Sequence, residues 1–358
     1  FTGPSQVVNL TAESIGVTSV TLKWVMNDSA SDSYTYRVEV VNDTFVKNLI
    51  FNDTKAEITE LLPGTPYNFT VFAVAADNET EGEGVPTHLC TRPSQVVDLT
   101  AESIGVTSVT LKWVMNDSAS DSYTYRVEVV NDTFVRNLRF NHTKEEITEL
   151  LPGTPYNFTV FAVAADNKTE GEGVPRDLYT RPSQVVDLTA ESIGVTSVTL
   201  KWVMNDSASE SYTYRVEVVN DTFVKNLRFN HTKAEITELF PGTPYNFTVF
   251  AVAADGETEG EGVSRDLYTR PSQVVDLTAE SIGVTSVTLK WVMNDSASDS
   301  YTYRVEVVND TFVKNLRFNH TKAEITELFP GTPYNFTVFA VAADNETEGE
   351  GVPRDLYT

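Results

Sequence analysis

The chain has 358 residues, too many for one ordinary domain. Its formal net charge of −25 excludes attraction to nucleic acid or to an acidic membrane surface. What remains for so acidic a chain is solubility, or a basic partner.

A strict repeat sets the domain count. Trp24 recurs as Trp113, Trp202 and Trp291, and Pro4 as Pro93, Pro182 and Pro271, always 89 residues apart. The chain is therefore read as four units: 1–91, 92–180, 181–269 and 270–358. Each is long enough to bury its own core.

In the first unit, residues 7–12 form an expected strand. Residues 19–24 form the second, with Val20, Leu22 and Trp24 inward and Thr21 and Lys23 outward. Residues 25–33 are rich in Asn, Asp and Ser and read as a loop. Residues 34–40 alternate cleanly, and 45–51 more weakly. Residues 56–61 make a further strand, with Ile58 and Leu61 in the core. Pro63-Gly64 is a turn, because Pro fixes one backbone angle and Gly supplies the permissive one. After it Tyr67, Phe69, Val71 and Ala73 share one face, and Asn68, Thr70 and Phe72 the other. Residues 77–84 read as an acidic, solvated hairpin loop, and 85–91 close the sheet. Seven strands with no helical period predict an all-β, Greek-key sandwich of the immunoglobulin-like type, repeated four times.

Leu61-Leu62-Pro63-Gly64-Thr65-Pro66-Tyr67 has the pattern Leu-x-Pro-Gly-Thr-x-Tyr, which returns at Leu150, Leu239 and Leu328 and resembles the motif before the sixth strand of fibronectin type III domains. Trp24 and Tyr36 fit the same family over the whole chain. The resemblance implies a tyrosine corner at Tyr67, its hydroxyl bonded back to the turn. An immunoglobulin domain is the rival, but it usually carries a cysteine pair across its sheets. This chain has one cysteine, Cys90, aligned with Tyr179, Tyr268, Tyr357 and Phe1. It is read either as a thiol, free or paired outside the segment, or as a half-buried strand residue. The Thr91-Arg92-Pro93-Ser94 linker, repeated at Thr180 and Thr269, is short and contains proline, so it is expected to be semi-rigid. Strands of about seven residues span roughly 25 Å, so four units in line form an expected extended rod on the order of 120 Å long.

The most informative functional signal is asparagine. Six of the seven asparagines in the first unit begin Asn-x-Ser/Thr: Asn9, Asn27, Asn42, Asn52, Asn68 and Asn78; only Asn48 does not. The pattern continues with Asn116, Asn131, Asn141, Asn157 and Asn167, then Asn205, Asn220, Asn230 and Asn246, then Asn294, Asn309, Asn319, Asn335 and Asn345. Asp98, Asp187 and Asp276 replace the Asn9 position, and Gly256 replaces Asn78 in the third unit. This is the acceptor motif for N-linked glycans on the surface of a secreted chain.

Catalytic constellations are not found in the sequence. His142, His231 and His320 occupy one repeat position inside an acceptor motif and read as solvated. His88-Leu89-Cys90 fails as a cysteine-phosphatase loop, because Leu89 intervenes and Val96 stands where Arg is needed. The acidic loops lack the spaced carboxylates and Gly of a calcium loop. No cofactor or metal site is expected, and no apolar run approaches membrane-span length. The chain opens at Phe1 without a leader and stops where another Arg-Pro linker is expected, so it reads as a piece of a longer protein.

The linkers, the Leu-x-Pro-Gly-Thr-x-Tyr-Asn-Phe-Thr runs and the dense acceptor sites together resemble the ectodomains of receptor-type tyrosine phosphatases. That resemblance implies a non-catalytic, glycosylated extracellular segment of a cell-surface receptor. Its roles would be adhesion, ligand binding, or receptor spacing by protein partners or self-association, with any phosphatase domain elsewhere in the parent. A structural component of extracellular matrix or of a secreted fibre is the alternative. An accessory module of a secreted enzyme is the third reading.

Overall fold

Alternating apolar and polar residues produce seven strands in the first repeat of the computed structural model, which describes residues 3–358. They are β1 (Val8–Ile15), β2 (Val20–Val25), β3 (Thr35–Val41), β4 (Val46–Phe51), β5 (Lys55–Ile58), β6 (Pro66–Val74) and β7 (Val85–Cys90). The same seven recur in each later repeat. Phe1, aligned with Cys90 by the repeat, lies outside the described residues. The expected boundaries shift slightly. β1 runs on to Ile15, β5 stops at Ile58, and the loop after β2 contains a single 3-10 turn, Ser31–Ser33. Leu61 is still buried, although it lies beyond the strand.

All pairings are antiparallel. β1, β2 and β5 form one sheet, and β4, β3, β6 and β7 the other, in those orders. The two sheets close a core of Val20, Leu22, Trp24, Tyr36, Val38, Ile58, Tyr67 and Phe69. Each of the other three repeats has its own equivalent core. The chain divides into two compact units, Phe1–Thr180 and Arg181–Thr358, with two repeats in each.

The expected inward faces hold. Trp24 is 1% exposed and meets Tyr36 edge-on, with ring centroids 5.3 Å apart. Such a pair adds about 0.5–1.5 kcal/mol beyond the area it buries. The indole N–H of Trp24, like those of Trp113, Trp202 and Trp291, has no hydrogen-bond partner. An orphaned buried donor costs about 1–3 kcal/mol, so the tryptophan is held by the apolar burial of its ring. β1 carries a bulge between Val8 and Thr11, where Asn9 has φ 54°. Asp98, Asp187 and Asp276 repeat that left-handed conformation. Asn and Asp are the non-glycine residues that tolerate it best.

Replacing Trp113 with Ala should cost about 3–5 kcal/mol. It should unfold the second repeat while leaving the other three cores in place. Denaturant unfolding followed by hydrogen exchange checks this, and loss of protection in all four repeats would contradict separate cores.

Candidate functional site: the acceptor asparagines and the repeat joints

None of the twenty acceptor asparagines is buried. Thirteen are exposed, Asn68 among them, and seven are half-buried: Asn42 and its three counterparts, with Asn157, Asn246 and Asn335. The structure sorts them by what else they do. Asn42 ends β3 and caps the following turn. Its Oδ1 accepts from the backbone N–H groups of Thr44 and Phe45 at 2.9 and 3.0 Å, and from the Thr44 hydroxyl at 2.9 Å. Asn131, Asn220 and Asn309 repeat this. Asn78 and Asn167 have φ 59° and Asn345 φ 62°, and Gly256 stands there with φ 74°. The Asn-to-Gly exchange thus keeps a left-handed backbone.

On β6, Asn68 points outward beside His88, whose Nδ1 lies 2.7 Å from Asn68 Oδ1. In the later repeats an aspartate replaces the histidine. Asn157, Asn246 and Asn335 donate from Nδ2 to Asp177, Asp266 and Asp355 at 2.7, 2.7 and 2.8 Å. By contrast, Asn27 and Asn52, with Asn116, Asn141, Asn205, Asn230, Asn294 and Asn319, are exposed. Their side chains make no hydrogen bond among the described residues.

Asn48, the asparagine outside the motif, has a structural task instead. Its Oδ1 accepts from Arg37 Nη1 at 2.7 Å. Arg37 sits outward on β3, its guanidinium carbon 3.9 Å from the Phe72 ring centroid. Its Nε and Nη2 donate to the two Glu81 oxygens, each at 2.7 Å. Arg126, Arg215 and Arg304 build the same tier with Glu170, Glu259 and Glu348. Sequence reasoning singled out neither Arg37 nor Glu81. The loop holding Glu81 is therefore not merely solvated. Asp77 in the same loop receives the Thr80 hydroxyl and two backbone N–H groups, which hold its carboxyl down at about 2. The one sequence signal was the odd asparagine at every fourth-strand position.

The Pro-Gly turn has two tasks. Inside the repeat, the Tyr67 hydroxyl accepts from the Leu62 N–H at 2.9 Å, and the other three corners match it. Outside, Gly64 with φ 55° faces Tyr123 of the second repeat. A Cβ on Gly64 would lie 1.8 Å from the Tyr123 oxygen. Burial, and the hydrogen bond from Tyr123 to Asp117 at 2.9 Å, push the phenol far above its usual value. Arg92 ties the two repeats together. Its N–H donates to Gly16 O at 2.9 Å, its carbonyl accepts from Gly64 N at 3.1 Å, and its Nε reaches Glu170 O at 2.8 Å. In the second unit Gly242, Tyr301, Arg270 and Glu348 form the same joint, and the Tyr301 hydroxyl also donates to Pro241 O at 3.1 Å. Cys90 lies at the first joint, buried and not disulfide-bonded. Burial and the nearby Asp166 carboxylate push its thiol up to about 11, so it is a strand residue with little thiolate character.

Among the described residues no cluster of His, Cys, Asp and Glu is arranged to hold a metal ion. No described helix is long and apolar enough to cross a membrane.

The model of the fibronectin type III domain matches residues 4–88, 92–176, 181–265 and 270–353. The chain is 58% identical over all 358 residues to receptor-type tyrosine-protein phosphatase eta of Gallus gallus, covering 100% of this chain and 26% of that protein. It is 31% identical over 354 residues to the Mus musculus protein of the same name, covering 97% of this chain and 28% of that protein. It is 25% identical over 309 residues to tenascin of Gallus gallus, covering 83% of this chain and 17% of that protein. The chain thus spans about a quarter or less of the length of these relatives.

Two outcomes test the geometry. Gly242→Ala and Gly331→Ala both place a side chain on a left-handed backbone, with φ 55° and 61°. Only the first meets a neighbouring ring, since nothing lies within 4 Å of a Cβ at Gly331. Hydrogen exchange at the Arg270 N–H should therefore quicken in Gly242→Ala and stay unchanged in Gly331→Ala. The second outcome concerns acid. The Arg126 hydrogen bonds hold the Glu170 carboxyl below its ordinary value. Its contribution to stability is complete above the unfolded value of about 4.3 and is lost as pH falls through the lowered folded value. Denaturation midpoints between neutral and acid pH should show a smaller acid loss in Glu170→Gln than in the unmodified chain.

Proposed function

We propose, from the premise that the chain belongs to the fibronectin type III family, that it is a non-catalytic, N-glycosylated extracellular segment of a cell-surface receptor. Its four repeats, bounded at the Thr-Arg-Pro-Ser linkers, space the receptor or present surfaces for adhesion and ligand binding. The observation that carries this reading is the exposure of the acceptor asparagines that have no structural task. Asn27, Asn52 and their six counterparts are exposed, and their side chains bond to nothing described. A polar loop residue needs only to be hydrophilic to serve the fold. Its recurrence as Asn two residues before Ser or Thr is what the acceptor chemistry requires.

The similarity to receptor-type tyrosine phosphatase eta supports the cell-surface setting. Phosphatase activity, if the parent protein has it, would reside in segments outside these repeats. The joints give the spacing role a physical means, because Arg92 and Arg270 each bond to both of their repeats. The matrix or fibre reading is the second, favoured by the similarity to tenascin. A bare protein partner would meet a strongly acidic surface, so its complementary face would be basic.

Site-by-site mass spectrometry of the native protein tests the proposal. Asn27, Asn52, Asn116, Asn141, Asn205, Asn230, Asn294 and Asn319 should carry glycans. Their Asn→Gln variants should change folding stability by no more than about 0.5 kcal/mol, as for surface positions without partners. Unmodified asparagines at most of these sites would overturn the extracellular reading.

A further inference from the structure

We propose that the cavity beside Asn246 cradles the first sugar of the glycan attached there, an N-acetylhexosamine. This rests on the glycosylated reading above. The cavity is an open hollow of about 520 Å³ within the second unit, where the third repeat meets the fourth. Small-molecule sites commonly run from ~300 to 1,000 Å³.

The anchor is fixed at both ends. Asn246 Nδ2 donates to Asp266 Oδ1 at 2.7 Å, and Asn246 Oδ1 accepts from the Thr248 hydroxyl at 3.0 Å. A glycosylated amide keeps one hydrogen on Nδ2, which is available to donate to Asp266 when it is the one facing that carboxylate. A tethered sugar starts within the cavity, at high effective concentration, and loses little freedom on settling.

The lining suits a sugar ring. A pyranose has C–H faces that pack on an aromatic ring, whose faces are electron-rich. Tyr268 and Leu267 line the cavity and offer that surface. A sugar also carries hydroxyl and amide donors around its edge. Asp221 and Asp344, which line the same cavity, are acceptors. Asp344 comes from the hairpin loop of the fourth repeat, so the sugar touches both repeats of the joint. The second repeat shows the same construction. Asn157, Asp177 and Tyr179 line a cavity of about 310 Å³, and Asn157 bonds Asp177 as Asn246 bonds Asp266.

The first repeat is a built-in control. Cys90 stands at the tyrosine position and His88 at the aspartate position. Asn68 therefore has neither the ring nor the carboxylate. Cys90 also shows that the fold accepts a small side chain there.

The test uses the full chain from glycosylating cells. An amidase that cleaves the sugar–asparagine bond is applied to folded protein, and release is followed site by site by mass spectrometry. Release at Asn246 should be at least tenfold slower than at Asn68. Tyr268→Phe should retain the protection, and Tyr268→Ala should abolish it, with the denaturation midpoint of each variant confirming the fold. Equal release at the two sites, or protection indifferent to Tyr268→Ala, overturns the cradle and leaves the glycan reading standing. An unmodified Asn246 overturns the cradle. Unmodified loop asparagines as well would bring down the glycan reading with it.

Discussion

The hydrogen bond from the Leu62 N–H to the Tyr67 hydroxyl fixes the turn on which the rest of the repeat depends. With the turn held, Tyr67 lies in the core against Phe45 and Phe69. Three residues before that tyrosine, Gly64 is buried in a left-handed conformation, where only a residue without a side chain lets Tyr123 approach. One seven-residue motif therefore sets both the closure of the sandwich and the way the next repeat docks at the described joints. That coupling gives a reason for Pro-Gly-Thr-Pro-Tyr to be kept where one repeat docks on the next, while the position before it changes from Leu62 to Phe240. Losing the tyrosine would free the turn, and losing the glycine would push the neighbour away.

Charge in this protein is organised as well as abundant. The net charge of −25 suggests a diffuse acidic surface, yet the outer face of each four-stranded sheet carries an ordered tier. Arg37 stacks on Phe72 while its fork grips Glu81, and Asn48 occupies the remaining nitrogen. A bidentate guanidinium–carboxylate pair is among the stronger polar contacts available, and it has a defined direction. It pins the hairpin loop between β6 and β7. In the second repeat the carbonyl of that loop's Glu170 then receives the linker Arg92. At this joint the linker thus combines a proline with hydrogen bonds to both repeats.

The acceptor asparagines are not one class. The fold itself favours Asn at the bulge of β1, at the turn after β3 and in the β6–β7 hairpin, because the backbone there is left-handed or needs a cap. At those positions an acceptor motif has a structural reason beside a chemical one. On β6 the asparagine is tied to its neighbour on β7 and, in the second and third repeats, lines a hollow beside a tyrosine. Only at the Asn27 and Asn52 positions does the fold ask for nothing in particular. The argument for glycans is strongest there, and sequence counting alone weighed all twenty equally.

The amino-acid sequence by itself determined the number of repeats, the seven strands and the inward faces, and its resemblance to the fibronectin type III family implied the tyrosine corner. The strands and faces are local, a period of two and a Pro-Gly turn, and the repeat count follows from comparing copies 89 residues apart. What only the tertiary structure decided joins residues far apart in the chain. Arg37 reaches Glu81 across 44 positions, and Gly64 meets Tyr123 across a linker. The left-handed angles at Asn9 and Glu60 were also invisible, since Glu carries no turn signal and Asn suggested only a glycan. Cys90 was ambiguous until its burial and the Asp166 carboxylate were in place. Strand pattern sets which face a side chain occupies, but only the packing of repeat on repeat decides what that face meets.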